Sequence, residues 1–257
     1  MGAMDRNGVT VLPTGSHENW LLQRLAAQPE GDGARVERLL PPGYPRYLRL
    51  FHPLSLSDDG VLCRPRTWQS VADEAGLAFH PQVQWRLLRP RVEGTFEGMP
   101  IAALAFLQER AGEADSQESG RWPLEGTIGE PARTRLFDLL VEAADSQEVY
   151  FYYGTAAAFL CLTSLLYRAP MSEYKAVQAL ADGEVTHPRR EPFRLPGPEF
   201  VWPEDRSWIV ATDCDLVSTY IACDERLSDL LLDDQVLELL PVTLTTRIDF
   251  DADSINA

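Results

Sequence analysis

The sequence is short of lysine, of long apolar runs and of clustered cysteines, and each shortage excludes a class of protein. Lys175 is the only lysine among 23 basic residues, and the formal net charge is −16. Such a chain repels phosphate backbones and anionic membrane surfaces, so we expect neither nucleic acid nor membrane as a partner. The longest apolar run, residues 155–167, is shorter than the roughly 20 residues that cross a bilayer, and we expect it to be buried.

The four cysteines are widely separated and form no CxxC pair. In a chain of 257 residues without an export signal, this spacing is typical of reduced thiols in a cytoplasmic protein. A disulfide between Cys214 and Cys223 is the alternative, if the strands that carry them pair with each other.

Motifs for nucleotide binding and for nucleophilic catalysis are also missing. The chain contains no GxGxxG, no GxxxxGK[ST] and no GxSxG, and its histidines have no HxxxH partner. We therefore predict no cofactor and no metal, and the sequence favours a non-enzymatic protein.

The order of the elements indicates an α+β fold. Strands that follow strands directly predict a central, mainly antiparallel sheet with packed helices in a single domain. We predict a flexible N-terminus over residues 1–15, with a cloning remnant before Met4, and one domain over residues 16–257 with an irregular region around 86–131. Residues 186–203, which are rich in proline, are expected to cross the surface.

Hydrophobic periodicity and turn residues predict the individual elements. Gly76 is expected to end one helix and Asp224 to cap another. Helices are predicted over residues 16–29, 67–75, 101–110, 132–144, 173–181 and after 224, and strands from 35 onward and over 46–52, 149–153, 207–212, 218–223 and 243–248.

Two short stretches bring polar groups together and are the candidates for a ligand pocket. His80, Gln84 and Trp85 place an imidazole, an amide and an indole close in sequence. Asp213 and Asp215 flank Cys214, and two carboxylates at this spacing could act as acid and base or hold a metal. Side chains that satisfy a turn are the alternative interpretation of the aspartates.

The aromatic residues suggest a surface for a protein partner. Tyr150 and Tyr152 belong to an alternating strand, so half of that run is expected to be exposed, and Trp202 lies in a second aromatic segment. Exposed tyrosine and tryptophan are common hot spots of protein interfaces. With the negative net charge, they favour a basic protein as the partner.

Several stretches resemble a family of uncharacterised conserved proteins from actinobacteria and related high-GC bacteria. They cover most of the chain in the same order, but this resemblance implies no particular activity. Residues 150–154 depart from the Trp- and Cys-containing strand expected there. The matching stretches are residues 47–53, Trp68 with Val71 and Ala72, His80-Pro81 with Gln84-Trp85, and residues 202–213, 218–221, 237–238 and 253–256.

The segment Leu40-Pro41-Pro42-Gly43-Tyr44 resembles the Leu-Pro-x-x-Tyr segment of the SMI1/KNR4-like (SUKH) superfamily. That superfamily includes immunity proteins that neutralise toxins by binding them. The resemblance implies an immunity-type binding protein, which agrees with the basic partner expected from the charge. The alternative is a small-molecule-binding protein, or an enzyme of unfamiliar type, with a pocket near His80, Trp85, Asp213 and Asp215.

Overall fold

The computed structural model describes residues 4–6, 8–27, 33–58, 62–88, 123, 125–143, 148–161, 163–185 and 195–257. Nine strands of this part of the chain form one sheet in which every pairing is antiparallel, in the order β1-β2-β7-β6-β8-β9-β10-β3-β11. They are β1 (Met4–Arg6), β2 (Val9–Leu12), β3 (Arg46–Phe51), β6 (Glu148–Tyr153), β7 (Leu165–Pro170), β8 (Phe200–Pro203), β9 (Ile209–Ala211), β10 (Ser218–Cys223) and β11 (Leu239–Val242). The remaining strands, β4 (Leu54–Asp58) and β5 (Leu62–Arg66), pair only with each other.

Six helices accompany the sheet in the described residues, and the fold is α+β, as predicted. None of them is long and apolar enough to cross a membrane. They are α1 (Asn19–Ala26), α2 (Trp68–Ala75), α3 (Ala132–Ala143), α4 (Thr155–Leu160), α5 (Tyr174–Gly183) and α6 (Glu225–Leu232).

Both faces of the sheet are covered, because successive strand residues point to opposite sides and both sets are apolar. One face packs on α3, α5 and α6, which contribute among others Leu136, Val177 and Leu227. The other face packs on α1 and on the segment after it, through Leu21 and Val36. The sheet is therefore a buried middle layer.

A third cluster surrounds the carboxyl end of β3, where α2 packs its Trp68 and Val71 against Phe51. Arg49 lies in this region and is only 3% exposed. Its guanidinium donates to Ser218 Oγ at 2.9 Å and to the backbone oxygens of Pro81 and Val83 at 2.8 and 3.0 Å. The same group lies 4.3 Å from the centre of the Phe51 ring. Arg49 thus attaches residues 81–83 to the sheet.

Most of the predicted elements are confirmed. Thr67 caps α2 by accepting from the Ser70 N–H, Gly76 ends it in the left-handed conformation, and Asp224 caps α6 through the Leu227 N–H. Strands β9 and β10 pair with each other, antiparallel. The predicted strand over 46–52 and helices over 132–144 and 173–181 are present with ends shifted by at most two residues. The helix predicted over 101–110 lies outside the described residues.

Four predictions are wrong. The N-terminal residues predicted to be flexible supply β1 and β2, because β2 finds β7 as a partner and buries Val9. Residues 200–203, predicted to lie on the surface, form the buried strand β8. The final strand is β11 rather than 243–248, and its Pro241 is tolerated because β11 is an edge strand. Residues 36–38 form a 3-10 turn, not a strand.

Replacing Arg49 should test how strongly the sheet depends on its attachment to residues 81–83. In Arg49→Met the carbonyls of Pro81 and Val83 lose their donor while they stay away from water, so we expect a loss of about 2–4 kcal/mol in the free energy of unfolding. Urea unfolding followed by tryptophan fluorescence measures this loss. Arg46, whose side chain is 52% exposed and pairs with Glu225 at 3.0 Å, is the control. Arg46→Met should cost less than about 1 kcal/mol, and equal losses in the two variants would contradict the assignment.

Candidate functional site

Strand pairing alone brings three separate segments together at one end of the sheet. Tyr152 pairs with Phe200, and Phe200 pairs with Ala211. The residues just beyond these pairs, Gly154, Glu199 and Thr212, are therefore neighbours although they are far apart in sequence. They form the floor of the candidate site.

The Glu199 side chain is held at this floor by the first turn of α4. Its carboxylate accepts the backbone N–H of Thr155 at 2.7 Å, and its backbone oxygen accepts the N–H of Thr212 at 2.9 Å. A Cβ atom at Gly154 would overlap the Glu199 carboxylate. A side chain at position 154 would therefore require the Glu199 carboxylate to move.

The turn between β9 and β10 forms the adjacent wall. Asp213 accepts the backbone N–H of Asp215 at 2.9 Å, so the turn interpretation is correct for this aspartate. The ligand atoms of Asp213, Cys214 and Asp215 nevertheless lie within 4.8 Å of one another. These three side chains could contact one small cation.

The electrostatic environment of the site is unfavourable for negative charge. Burial, followed by the charge of Asp213, raises the pKa of Glu199 above its ordinary value. Burial and the charge of Asp215 raise the pKa of Glu125 in the same way. Burial and the three acidic neighbours Asp213, Asp215 and Glu199 raise the pKa of Cys214 to about 12, so its thiol stays protonated and is a poor nucleophile.

Two shallow pockets adjoin here and share the wall made by Gly197 and Thr212. The first, of about 280 Å³ counted out to open solvent, is lined by Glu199, Asp213 and Cys214. The second, of about 290 Å³ on the same measure, is lined mainly by apolar and aromatic side chains. Its lining includes Ile128, Arg133, Phe137, Tyr174, Val201 and Val210.

Of the five predicted ligand residues only Asp213 lines one of these two pockets; His80, Gln84, Trp85 and Asp215 line neither. His80 Nε2 lies 3.0 Å from a carboxylate oxygen of Asp253, which is 1% exposed. The N–H of Gln84 donates to the other oxygen of Asp253, and Trp85 packs against Trp68 with ring centres 5.5 Å apart. These residues fasten the C-terminal segment to the loop after α2.

The C-terminal segment is held by a second set of bonds beside His80. The Asn256 amide bonds both the N–H and the oxygen of Ala78, each at 2.9 Å, and also donates to Asp253. These hydrogen bonds attach residues 253–256 to the loop after α2, and neither of the two pockets includes the cluster.

The predicted aromatic surface is also wrong. Tyr150, Tyr152 and Trp202 are 2%, 7% and 1% exposed. The alternation of the strand is present, but both faces of the sheet are covered, so neither set of side chains reaches solvent. The Tyr150 hydroxyl donates to Glu204.

Glu199, Gly154 and Thr212 were missed by the reasoning from sequence. The available signal was weak: Glu199 stands directly before the apolar run of β8, and Gly154 directly after β6. Polar residues at strand ends are common, and only the pairing of β6, β8 and β9 shows that these ones meet.

Comparisons with known protein families, with curated proteins and with solved structures found no match to this chain.

The close packing beneath the 213–215 turn yields a testable pair of substitutions. Gly126 and Gly76 both have left-handed backbones, with φ of 66° and 67°. A Cβ at Gly126 would lie 2.8 Å from Cys214 Cα, whereas a Cβ at Gly76 would meet nothing within 4 Å. Gly76→Ala should cost about 1 kcal/mol from backbone strain, and Gly126→Ala roughly 1–3 kcal/mol more from overpacking. Equal losses of unfolding free energy in the two variants, measured by urea unfolding, would show that the 213–215 turn moves aside at no cost.

The attachment of the C-terminal segment should depend on pH through Asp253. Burial by itself raises the pKa of Asp253, but hydrogen bonds from Asn256 and the neighbouring His80 lower it below its ordinary value of 3.8. A lowered pKa means that this carboxylate stabilises the fold above pH 3.8 and that the stabilisation is lost as the pH falls through the lowered value. Asp253→Asn should therefore destabilise at pH 7 and differ less from the wild type at pH 3, as measured by urea unfolding. Asp251→Asn, whose side chain is 78% exposed, is the control and should change little at either pH.

Proposed function

We propose that this protein binds a small cationic molecule, a primary amine with an apolar body, in the two adjoining pockets at the end of the sheet. One observation carries the proposal: Glu199 and Asp213 line the same pocket, and among the described residues no arginine or lysine lines that first pocket. Carboxylates whose ionisation is opposed by burial and by each other are relieved when a cation enters. An ammonium group supplies that cation.

The second pocket supports an apolar body on the same ligand. Phe137 and Tyr174 pack edge to face with ring centres 5.1 Å apart, and both line this pocket. A ligand that spans the shared wall at Thr212 would place its ammonium group beside Glu199 and its apolar part against these rings. Mostly apolar lining with a few polar groups is the usual composition of small-molecule sites.

Binding rather than catalysis fits the groups present. Cys214, which lies beside the carboxylates, is held in its thiol form by its raised pKa, so the proposal contains no reaction. The proposal includes a cytoplasmic location. The free thiols of Cys214, Cys161 and Cys223 agree with it. Membership of the actinobacterial family or of the SUKH superfamily remains a prediction.

The proposal predicts that the site selects positive charge. Phenethylamine should bind more tightly than 2-phenylethanol, its neutral counterpart, in isothermal titration calorimetry at pH 8. Glu199→Gln should weaken phenethylamine about tenfold, roughly 1.4 kcal/mol, and should leave binding of the alcohol unchanged. Since the cation needs an ionised Glu199, wild-type affinity should fall as the pH decreases through the raised pKa of this residue.

Glu238→Gln is the matched control for this test. Glu238 is also a partly buried carboxylate that accepts backbone N–H groups, from Trp68 and Gln69, and burial raises its pKa above its ordinary value. It lines neither pocket, so Glu238→Gln should bind phenethylamine as the wild type does. Equal binding of amine and alcohol, or full affinity in Glu199→Gln, would refute the proposal.

Stability provides a second readout that separates a binding residue from a structural one. A carboxyl group whose pKa is raised on folding destabilises the fold increasingly as the pH rises through its ordinary and then its raised pKa. Glu199→Gln should therefore unfold at an equal or higher urea concentration than the wild type at pH 8, while it loses affinity. A large loss of stability would assign Glu199 a structural role instead.

A further inference from the structure

The solvent-facing sides of α3 and α6 form a surface with unusual composition. The two helices lie side by side, and both bury their other sides in the same core, through Leu136 and Leu140 of α3 and Leu227 and Leu231 of α6. Arg135 Nε of α3 lies 2.6 Å from Asp234, which follows α6, and this ion pair fixes the two helices together. We call their exposed sides, together with Val236, the α3–α6 surface.

Apolar side chains stand out on this surface where polar ones are expected. Five large apolar residues are exposed in the described part of the chain, and three of them belong here. They are Val141, Leu232 and Val236, with exposed fractions of 40%, 37% and 48%. Val141 is β-branched in an exposed helix position, where valine is a weaker helix former than most polar residues. Neither core packing nor helix propensity explains its presence.

Acidic residues occupy exposed positions on the same two helices. Asp138 and Glu142 are exposed on α3, Asp229 is exposed on α6, and Asp233 is exposed directly after α6. No ion pair joins any of these four carboxylates to a described residue. Two basic side chains accompany them: Arg226 is exposed on α6, and Arg135 of α3 is 42% exposed but already paired with Asp234.

We propose that the α3–α6 surface docks a protein partner whose contact segment is basic and amphipathic. Lysine and arginine side chains of such a segment would pair with the four carboxylates while its apolar side covers Leu232 and Val236. Charge complementarity selects this occupant, because a surface of this sign repels anionic lipid headgroups and nucleic-acid phosphates alike. The surface is separate from the amine pockets, and neither proposal depends on the other.

The test uses a defined probe in place of the unidentified partner. A fluorescently labelled amphipathic helical peptide of leucine and lysine is titrated with the full chain, and fluorescence anisotropy is followed. The same peptide with glutamate in place of lysine is the control ligand. We expect saturable binding of the lysine peptide only, weakened at least tenfold when the ionic strength rises from 50 to 500 mM, since exposed charge pairs are screened by salt.

Two double variants locate the surface and a third is the matched control. Leu232→Ser with Val236→Ser should weaken the peptide about tenfold, and Asp229→Asn with Asp233→Asn should weaken it similarly and reduce the salt dependence. Ile255→Ser with Asp251→Asn alters an exposed apolar residue and an exposed acid at the C-terminal segment, and should change affinity less than twofold. All six positions are exposed, and circular dichroism confirms that each variant is folded.

The proposal is overturned if the lysine peptide does not bind saturably, or if both surface variants keep wild-type affinity. It is equally overturned if the control variant weakens the peptide as much as they do, because binding would then follow net charge alone. Loss in the two surface variants with an unchanged control supports it.

Discussion

The structure depends on a buried arginine that has no carboxylate of the described residues in hydrogen-bonding contact. Arg49 gives its hydrogen bonds to a serine hydroxyl and two carbonyls, and burial lowers the pKa of its guanidinium. An ion in such a place is tolerated only when its donors are well satisfied. Two of the three acceptors are the backbone oxygens of Pro81 and Val83, so the loop after α2 must close over the end of β3. His80 then meets Asp253, and the C-terminus is fastened to the sheet through it.

Antiparallel pairing explains why the acidic site lies at the end of the sheet. Glu199 precedes β8 and Thr212 follows β9, so the hairpin places them opposite each other. Both faces of the sheet are covered by helices and loops, whereas at this end of the sheet β6 is followed by Gly154, β8 is preceded by Glu199, and β9 is followed by the turn at 213–215. The glycines at positions 126, 154 and 197 let the neighbouring segments approach one another closely. A pocket therefore remains where strand ends expose polar groups, which is a common place for a binding site.

Features that depend on residues close in sequence could be predicted, whereas features that depend on residues far apart in sequence could not. Thr67, Gly76 and Asp224 act on residues at most five positions away, and the helices that they bound were predicted correctly. Strand β8 was missed because proline surrounds it and because its partners, β6 and β9, decide its burial. The same cause misplaced the aromatic surface: a run of alternating residues shows two faces but not what covers each one. His80 and Asp253 are 173 positions apart, and no local pattern connects them.

Acidic residues occur in two different environments, the exposed α3–α6 surface and the pocket that contains Glu199, and their effects on stability differ. On the α3–α6 surface the carboxylates are exposed, cost the fold little and are screened by salt. In the pocket, burial raises the pKa of Glu199, so its ionised form weakens the folded state at neutral pH. A group that opposes folding is expected at a site where a ligand later relieves the opposition, because the same free energy then adds to binding. The buried carboxylate of Glu199, which shares a pocket with Asp213, is thus stronger support for a cation-binding role than the larger number of exposed acids.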